Sequence, residues 1–354
     1  MLAIFGGLIV DLSLDAEQTG VRIIEMPWRR RIATRRWLRR AHICIAQLAT
    51  NYVVSRAVAR LDDPVALARE IEFWRRLGRR DHAASITHGA IGAIQVASPM
   101  HGLASPPVPA DWFAPVRGES EGYVFYVHGG SFVFERGPAV TDLVGRLAAG
   151  ADARVFAPNY RLAPEHPCPA AVDDVVAAYR WLLRNTHNVR VVALAESAGC
   201  AILLAALQRL RDEGDNLPAG VLLLSPWVDL SLQSWSIIAA SLAGTDGSTM
   251  LALGVMAHLY LDGRPASDPV ASPLFGDFAG LPPMTIHAAK DDLLYDDAVR
   301  LAERVRDVGG DLTVRLWSEE GHVWEKSQTP KARQSIELAS QFIALRLRAE
   351  SRPQ

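Results

Sequence analysis

The stretch "VVALAESAGCAILLAALQRL", residues 191–210, decides how the chain is read. Its first half is an apolar, β-branched run and its second half has helical periodicity. Between them lie the small residues Ala195, Ala198 and Gly199 around Ser197. A strand that ends near residue 195 and a helix that starts just after Ser197 leave the serine on a sharp turn. Small neighbours let the two elements approach closely. A turn of this kind either exposes a nucleophile or carries an ordinary serine at a helix start, and the stretch alone does not choose between them.

The rest of the chain supplies the frame. Short apolar runs recur at 122–127, 153–158, 189–195, 220–225, 284–289 and 312–317, with helical stretches such as "AAVDDVVAAYRWLLRN" and "DDAVRLAERVRDVG" between them. Runs that are apolar on both faces suit strands covered by helices on both sides, so the pattern predicts a mostly parallel sheet in a three-layer α/β domain over residues 86–354. Residues 1–85 do not follow this rhythm and read as a leader followed by helices, with "PVALAREIEFWRRLGRR" the clearest. The helical insert 231–270 also interrupts the alternation. These two pieces are expected to meet above the sheet as a cap.

Composition narrows the classes. The 354 residues are 49% hydrophobic and carry a formal charge of −2, enough for a large core and no general case for a nucleic-acid partner. Three scattered cysteines suit neither a disulfide framework nor a cysteine metal site, and a cytoplasmic location is expected. The apolar N-terminus is shorter than a membrane span and has no basic lead-in. Residues 27–40 hold seven arginines among Trp28, Ile32, Trp37 and Leu38. Contact with an anionic membrane through them is the weaker reading, and a solvated helix the stronger.

"YVHGGSFVFERG", residues 126–137, ends a buried strand in His128-Gly129-Gly130, a loop whose backbone N–H groups are free of side-chain crowding. Upstream of a serine turn, such a loop is the lipase and esterase arrangement. With "NYRLAPEHPCPAAVDD" (159–174), "SPWVDLS", "DPVASPLFGDFAGLPPM", "DDLLYDDA" and "GHVW", the chain closely resembles the hormone-sensitive lipase-like esterases from about residue 60 onward.

That resemblance implies the α/β-hydrolase fold with a helical cap, and a serine carboxylic-ester hydrolase acting on short- to medium-chain acyl esters. It implies the nucleophile Ser197, the base His322, and an acid at Asp291 in "KDDLLYDD". Asp292 is the second choice for the acid, with Asp296 and Asp297 nearby. It also implies an oxyanion hole from the N–H groups of Gly129, Gly130 and Ala198, with no metal or organic cofactor. Ser131, Phe132, Trp227 and Trp324 are candidate pocket residues, and His128 is a structural loop residue. The sequence departs from the family at Ser131, Ala195 and Cys200, where glycine is usual. Glu196 is given no catalytic role. An acetyl or acyl hydrolase or transferase on a specialised metabolite is the alternative, and a non-catalytic small-molecule binder of the same fold a weaker one. The partner is a small-molecule ester; a homodimer is left open.

Overall fold

A computed structural model describes residues 21–26, 63, 66, 69–73, 75–76, 93–97, 107–115, 122–186, 189–242 and 247–348. The arginine-rich segment 27–40 lies outside the described residues, as do residues 1–20 and most of the expected N-terminal helices.

Alternation of side chains along the strands builds the layers. The strands are β1 (Val21–Glu25), β2 (Ala93–Ala97), β3 (Ala110–Pro115), β4 (Tyr123–Val127), β5 (Arg154–Pro158), β6 (Val191–Glu196), β7 (Val221–Leu224), β8 (Met284–Ala289) and β9 (Leu312–Trp317). On β4, Phe125 and Val127 face one core, and Val124 and Tyr126 face the other; on β6, Ala193 and Ala195 oppose Val192 and Leu194. The first core is closed by helices α2 (Ala170–Asn185), α3 (Gly199–Asp212) and α6 (Tyr295–Asp307). The second is closed by α1 (Pro138–Ala151) and α7 (Pro330–Arg348). Both faces of β4 and β6 are therefore buried, as their apolar runs required.

Among the described residues the nine strands lie in the order β1-β9-β8-β7-β6-β4-β5-β3-β2. Only the pairs β2·β3 and β3·β5 are antiparallel. The architecture is the α/β-hydrolase fold, with a mostly parallel sheet flanked by helices. From β4 the chain passes through α1 to β5, then through α2 back across to β6 on the other side of β4. The strand order reverses between β4 and β6, so the crevice of this sheet opens beyond their carboxyl ends. The serine turn follows β6, and the glycine loop follows β4.

The six runs expected as strands are β4 to β9. The first three strands were not expected. β1 offers Ile23 to the core while Ile24 is exposed, so a five-residue edge strand left little periodic signal in a region read as leader and helices. Within the 231–270 insert, α4 (Trp235–Leu242) and α5 (Gly247–Leu261) are helical, and Tyr260 stacks on Phe132 with ring centroids 4.0 Å apart. From the N-terminal side, Arg75 donates to the carbonyls of Val133 and Ala163. Described parts of both expected cap segments thus touch the loop after β4.

At Gly199 helix and strand approach closely: a Cβ there would stand 2.4 Å from the carbonyl oxygens of both Val127 and His128. Gly254, inside α5, would meet only Leu232 at 3.9 Å. Gly199→Ala is expected to destabilise the fold by about 1–3 kcal/mol through overpacking. Gly254→Ala is expected to be neutral or to stabilise by up to about 1 kcal/mol from helix propensity. Chemical denaturation of both variants checks the contrast.

Candidate active site

Ser197 has φ 54°, the left-handed region that a β-carbon disfavours. Such strain costs about 1–3 kcal/mol and needs support from its surroundings. The support is specific. Ser197 N–H donates to Leu224 O on β7, and its carbonyl accepts from the N–H groups of Trp227 and Cys200. Ala195 keeps β geometry, paired with Val127 on β4 and Leu223 on β7, so its methyl is accommodated where the family has glycine. The helix α3 begins at Gly199, with Ala198 as its cap residue. Cys200 is fully buried, its Sγ 3.8 Å from Leu224 O, and burial pushes its thiol pKa up; it is a core residue.

His322 lies on the loop after β9. Its Nε2 is 2.8 Å from Ser197 Oγ. Its Nδ1 is 2.8 Å from an oxygen of Asp292, not of Asp291. The two aspartates point to opposite sides of one turn. Asp291 is exposed, and its Oδ2 accepts the backbone N–H of Glu319 at 2.6 Å. Asp292 is turned inward, where it also accepts the N–H of Leu294 and the hydroxyl of Ser225. Ser225 Oγ in turn accepts the N–H of Val323, so it ties the acid to the histidine loop. The other two acids serve the backbone: Asp296 accepts from Ser236 N–H, while Asp297 accepts from the N–H groups of Val228 and Asp229 and from Ser234 Oγ.

Electrostatics fit this pairing. Burial works to raise the Asp292 pKa, but the charge and hydrogen bond of His322 outweigh it and hold the carboxyl below its ordinary value. Burial works to lower the His322 pKa, and Asp292 outweighs it, so the imidazolium is held above the ordinary 6.5. With Nδ1–H donating to Asp292, Nε2 is left as an acceptor for the serine proton.

The glycine loop differs from expectation at one atom. The N–H of Gly129 donates to Glu196 Oε1 at 2.6 Å, so it is not free for a ligand. The N–H groups of Gly130 and Ala198 carry no hydrogen bond among the described residues. Gly130 has φ +107°, and Ser131 (52°) and Phe132 (67°) follow it in the left-handed region, held by the N–H groups of Val133 and Phe134 on Gly130 O. Ser131 is half-buried. His128 donates from Nδ1 to Gly129 O, stacks on Tyr160, and has its pKa lowered to about 4 by burial and by Arg136. It is a neutral structural residue.

The three aromatic pocket candidates are core residues. Phe132 and Trp227 are fully buried and pack on each other, 5.2 Å between centroids. Trp324 packs on Trp317 in a separate small cluster with Ala289 and Ala332. Among the described residues no group of three or more His, Cys, Asp or Glu side chains could hold a metal ion, and no helix is long and apolar enough to cross a membrane.

A parallel sheet with a serine turn and a histidine loop at its carboxyl edge defines the α/β-hydrolase class. The family model described as alpha/beta hydrolase fold matches residues 124–326. An acetyl-hydrolase of Streptomyces hygroscopicus is 38% identical over 237 residues, 66% of this chain and 79% of that protein. An esterase of Acinetobacter venetianus is 28% identical over 62% of this chain and 73% of its own length. Among solved structures, a hormone-sensitive lipase from a metagenome library superposes with TM-score 0.69 at 32% identity, covering 78% of this chain and 91% of that one. The chain belongs to the hormone-sensitive lipase-like esterases of the α/β-hydrolase superfamily; by class it is a carboxylesterase.

The geometry separates the two adjacent acids. Asp292→Asn removes the group that holds the His322 tautomer and is expected to lower kcat for p-nitrophenyl acetate by at least about 10³-fold. Asp291→Asn is expected to stay within about threefold, because the amide Oδ1 can still accept the Glu319 N–H and only an exposed charge is lost. Parallel steady-state kinetics on the two variants decides the assignment.

Proposed function

We propose that the protein hydrolyses short- to medium-chain acyl esters through an acyl-enzyme formed on Ser197, with His322 as general base and acid and Asp292 as its orienting carboxylate. The observation that carries the reading is the continuous chain from Ser197 Oγ through His322 Nε2 and Nδ1 to Asp292 Oδ2, with both hydrogen bonds 2.8 Å long.

The chemistry follows from those contacts. As Ser197 Oγ attacks the ester carbonyl carbon, its proton passes to His322 Nε2. The carbonyl oxygen becomes an oxyanion, and the unpartnered N–H groups of Gly130 and Ala198 are the donors for it. One such donor lowers the barrier by roughly 3 kcal/mol. The tetrahedral intermediate collapses, the C–O bond to the alcohol breaks, and His322 delivers its proton to the leaving oxygen. Water then enters. His322 takes its proton, hydroxide adds to the acyl carbon, and the acid leaves as Ser197 regains its proton. Asp292 stabilises the imidazolium in both halves.

A short acyl group fits the setting. Phe132 stacks on Tyr260 and packs at a tilt against Trp227, which fills space behind the glycine loop. The similarity to an acetyl-hydrolase favours the same size class. The segments around Arg75 and Tyr260 act as the cap, since both brace the loop that binds the oxyanion.

Ser197→Ala is expected to abolish p-nitrophenyl acetate hydrolysis, and His322→Ala to act alike, without additivity in the double variant. The pH profile gives an independent sign. The base must be neutral, and Asp292 raises the His322 pKa, so kcat/KM is expected to rise with pH through an inflection above 6.5. A profile that is flat from about pH 5 to 9, or residual turnover in purified Ser197→Ala, contradicts the mechanism.

A further inference from the structure

Glu196 is almost fully buried, 1% exposed, and the mechanism above does not use it. A buried carboxylate costs several kcal/mol of desolvation unless it is paired. This one is paired three ways, each with a different part of the site. Its Oε1 accepts the N–H of Gly129 at 2.6 Å, on the glycine loop. The same oxygen takes the hydroxyl of Tyr126 on β4 at 3.4 Å. Its Oε2 lies 3.4 Å from Lys326 Nζ, four residues beyond His322. Its own backbone is the last residue of β6, directly before Ser197.

The fit is reciprocal. A Cβ at position 129 would stand 2.7 Å from the carbonyl oxygen of Glu196 and 2.8 Å from its carboxylate. Glycine at 129 is therefore required by contact with Glu196 and not by access of a substrate oxygen. The neighbouring Gly130 then holds the free N–H.

Resting on the hydrolase reading above, we propose that Glu196 is a positioning residue for the reaction. Its carboxylate clamps the glycine loop to the serine turn, and Lys326 completes the clamp from the histidine loop. Gly130 N–H is thereby set at a fixed distance from Ser197, where an oxyanion forms.

The clamp also places charge near the base. The ionisable groups around His322 are Asp292, Lys326 and Glu196, with Glu325 buried behind the same loop. Glu196 raises the His322 pKa and Lys326 lowers it, so removing the two charges moves the base in opposite directions.

The test uses the full chain, with turnover of p-nitrophenyl acetate expressed per Ser197 labelled by an organophosphate. Glu196→Ala is expected to lower kcat at least tenfold with KM within threefold, because a displaced loop fails the transition state. Glu196→Gln keeps an acceptor for Gly129 and is expected to retain at least threefold more turnover than Glu196→Ala. Its kcat/KM inflection should fall below that of the wild type, whereas that of Lys326→Met should rise. A purely structural role would lower stability and leave turnover per labelled site and both inflections in place; that result overturns the proposal. Should Glu196→Ala not fold, the opposed inflections of Glu196→Gln and Lys326→Met decide alone, and movement in the same direction or none overturns it. An active wild type labelled at Ser197 with unaffected variants refutes the clamp only. A wild type without Ser197-dependent turnover refutes the hydrolase reading, and the clamp with it.

Discussion

The contact between Gly199 and the end of β4 sets the rest of the site. A helix can start 2.4 Å (measured to an absent Cβ) from two carbonyl oxygens only if that position has no side chain. The close approach brings α3 against β4, which lies beside β6 in the sheet. The turn between β6 and α3 must then reverse within Ser197, hence its positive φ. The same approach brings the glycine loop within reach of Glu196. The serine turn and the contact of Glu196 with the glycine loop are consequences of one tight crossing at the point where the strand order reverses.

Two buried carboxyls on neighbouring turns show how the surroundings divide labour. Asp292 is held below its ordinary pKa by an imidazole that can become cationic. Asp297, five residues on, is raised to about 7 by burial, even though two backbone N–H groups and Ser234 support its charge, and Asp229 adds repulsion. The first is fit to stabilise a charge that appears during turnover. The second fastens the start of the 231–270 insert to α6 through Val228, Asp229 and Ser234. Burial alone does not distinguish such roles; the partner's charge does.

Much of this was legible in the sequence. Doubly apolar runs marked β4 to β9, and the family resemblance pointed to Ser197 and His322. What could not be read was side-chain direction at single turns. Asp291 and Asp292 are identical in type and adjacent, and only the course of the chain after β8 sends one outward to Glu319 N–H and the other inward to His322. Gly129 was expected to offer its N–H because glycine suggests access; Glu196 had already taken it. One signal was available: an acid next to the nucleophile in an otherwise apolar strand end needs a donor. Phe132, Trp227 and Trp324 lay beside motif residues, but adjacency in sequence does not separate pocket walls from core.

The most direct test of the account is a crystal structure of the protein inhibited by a phosphonate ester. The account predicts a covalent bond to Ser197 Oγ. The phosphoryl oxygen should lie within about 3.1 Å of Gly130 N and Ala198 N, while Gly129 N stays on Glu196. An adduct whose oxygen sits on Gly129 N with Glu196 displaced, or a phosphonate attached elsewhere than Ser197, would contradict it.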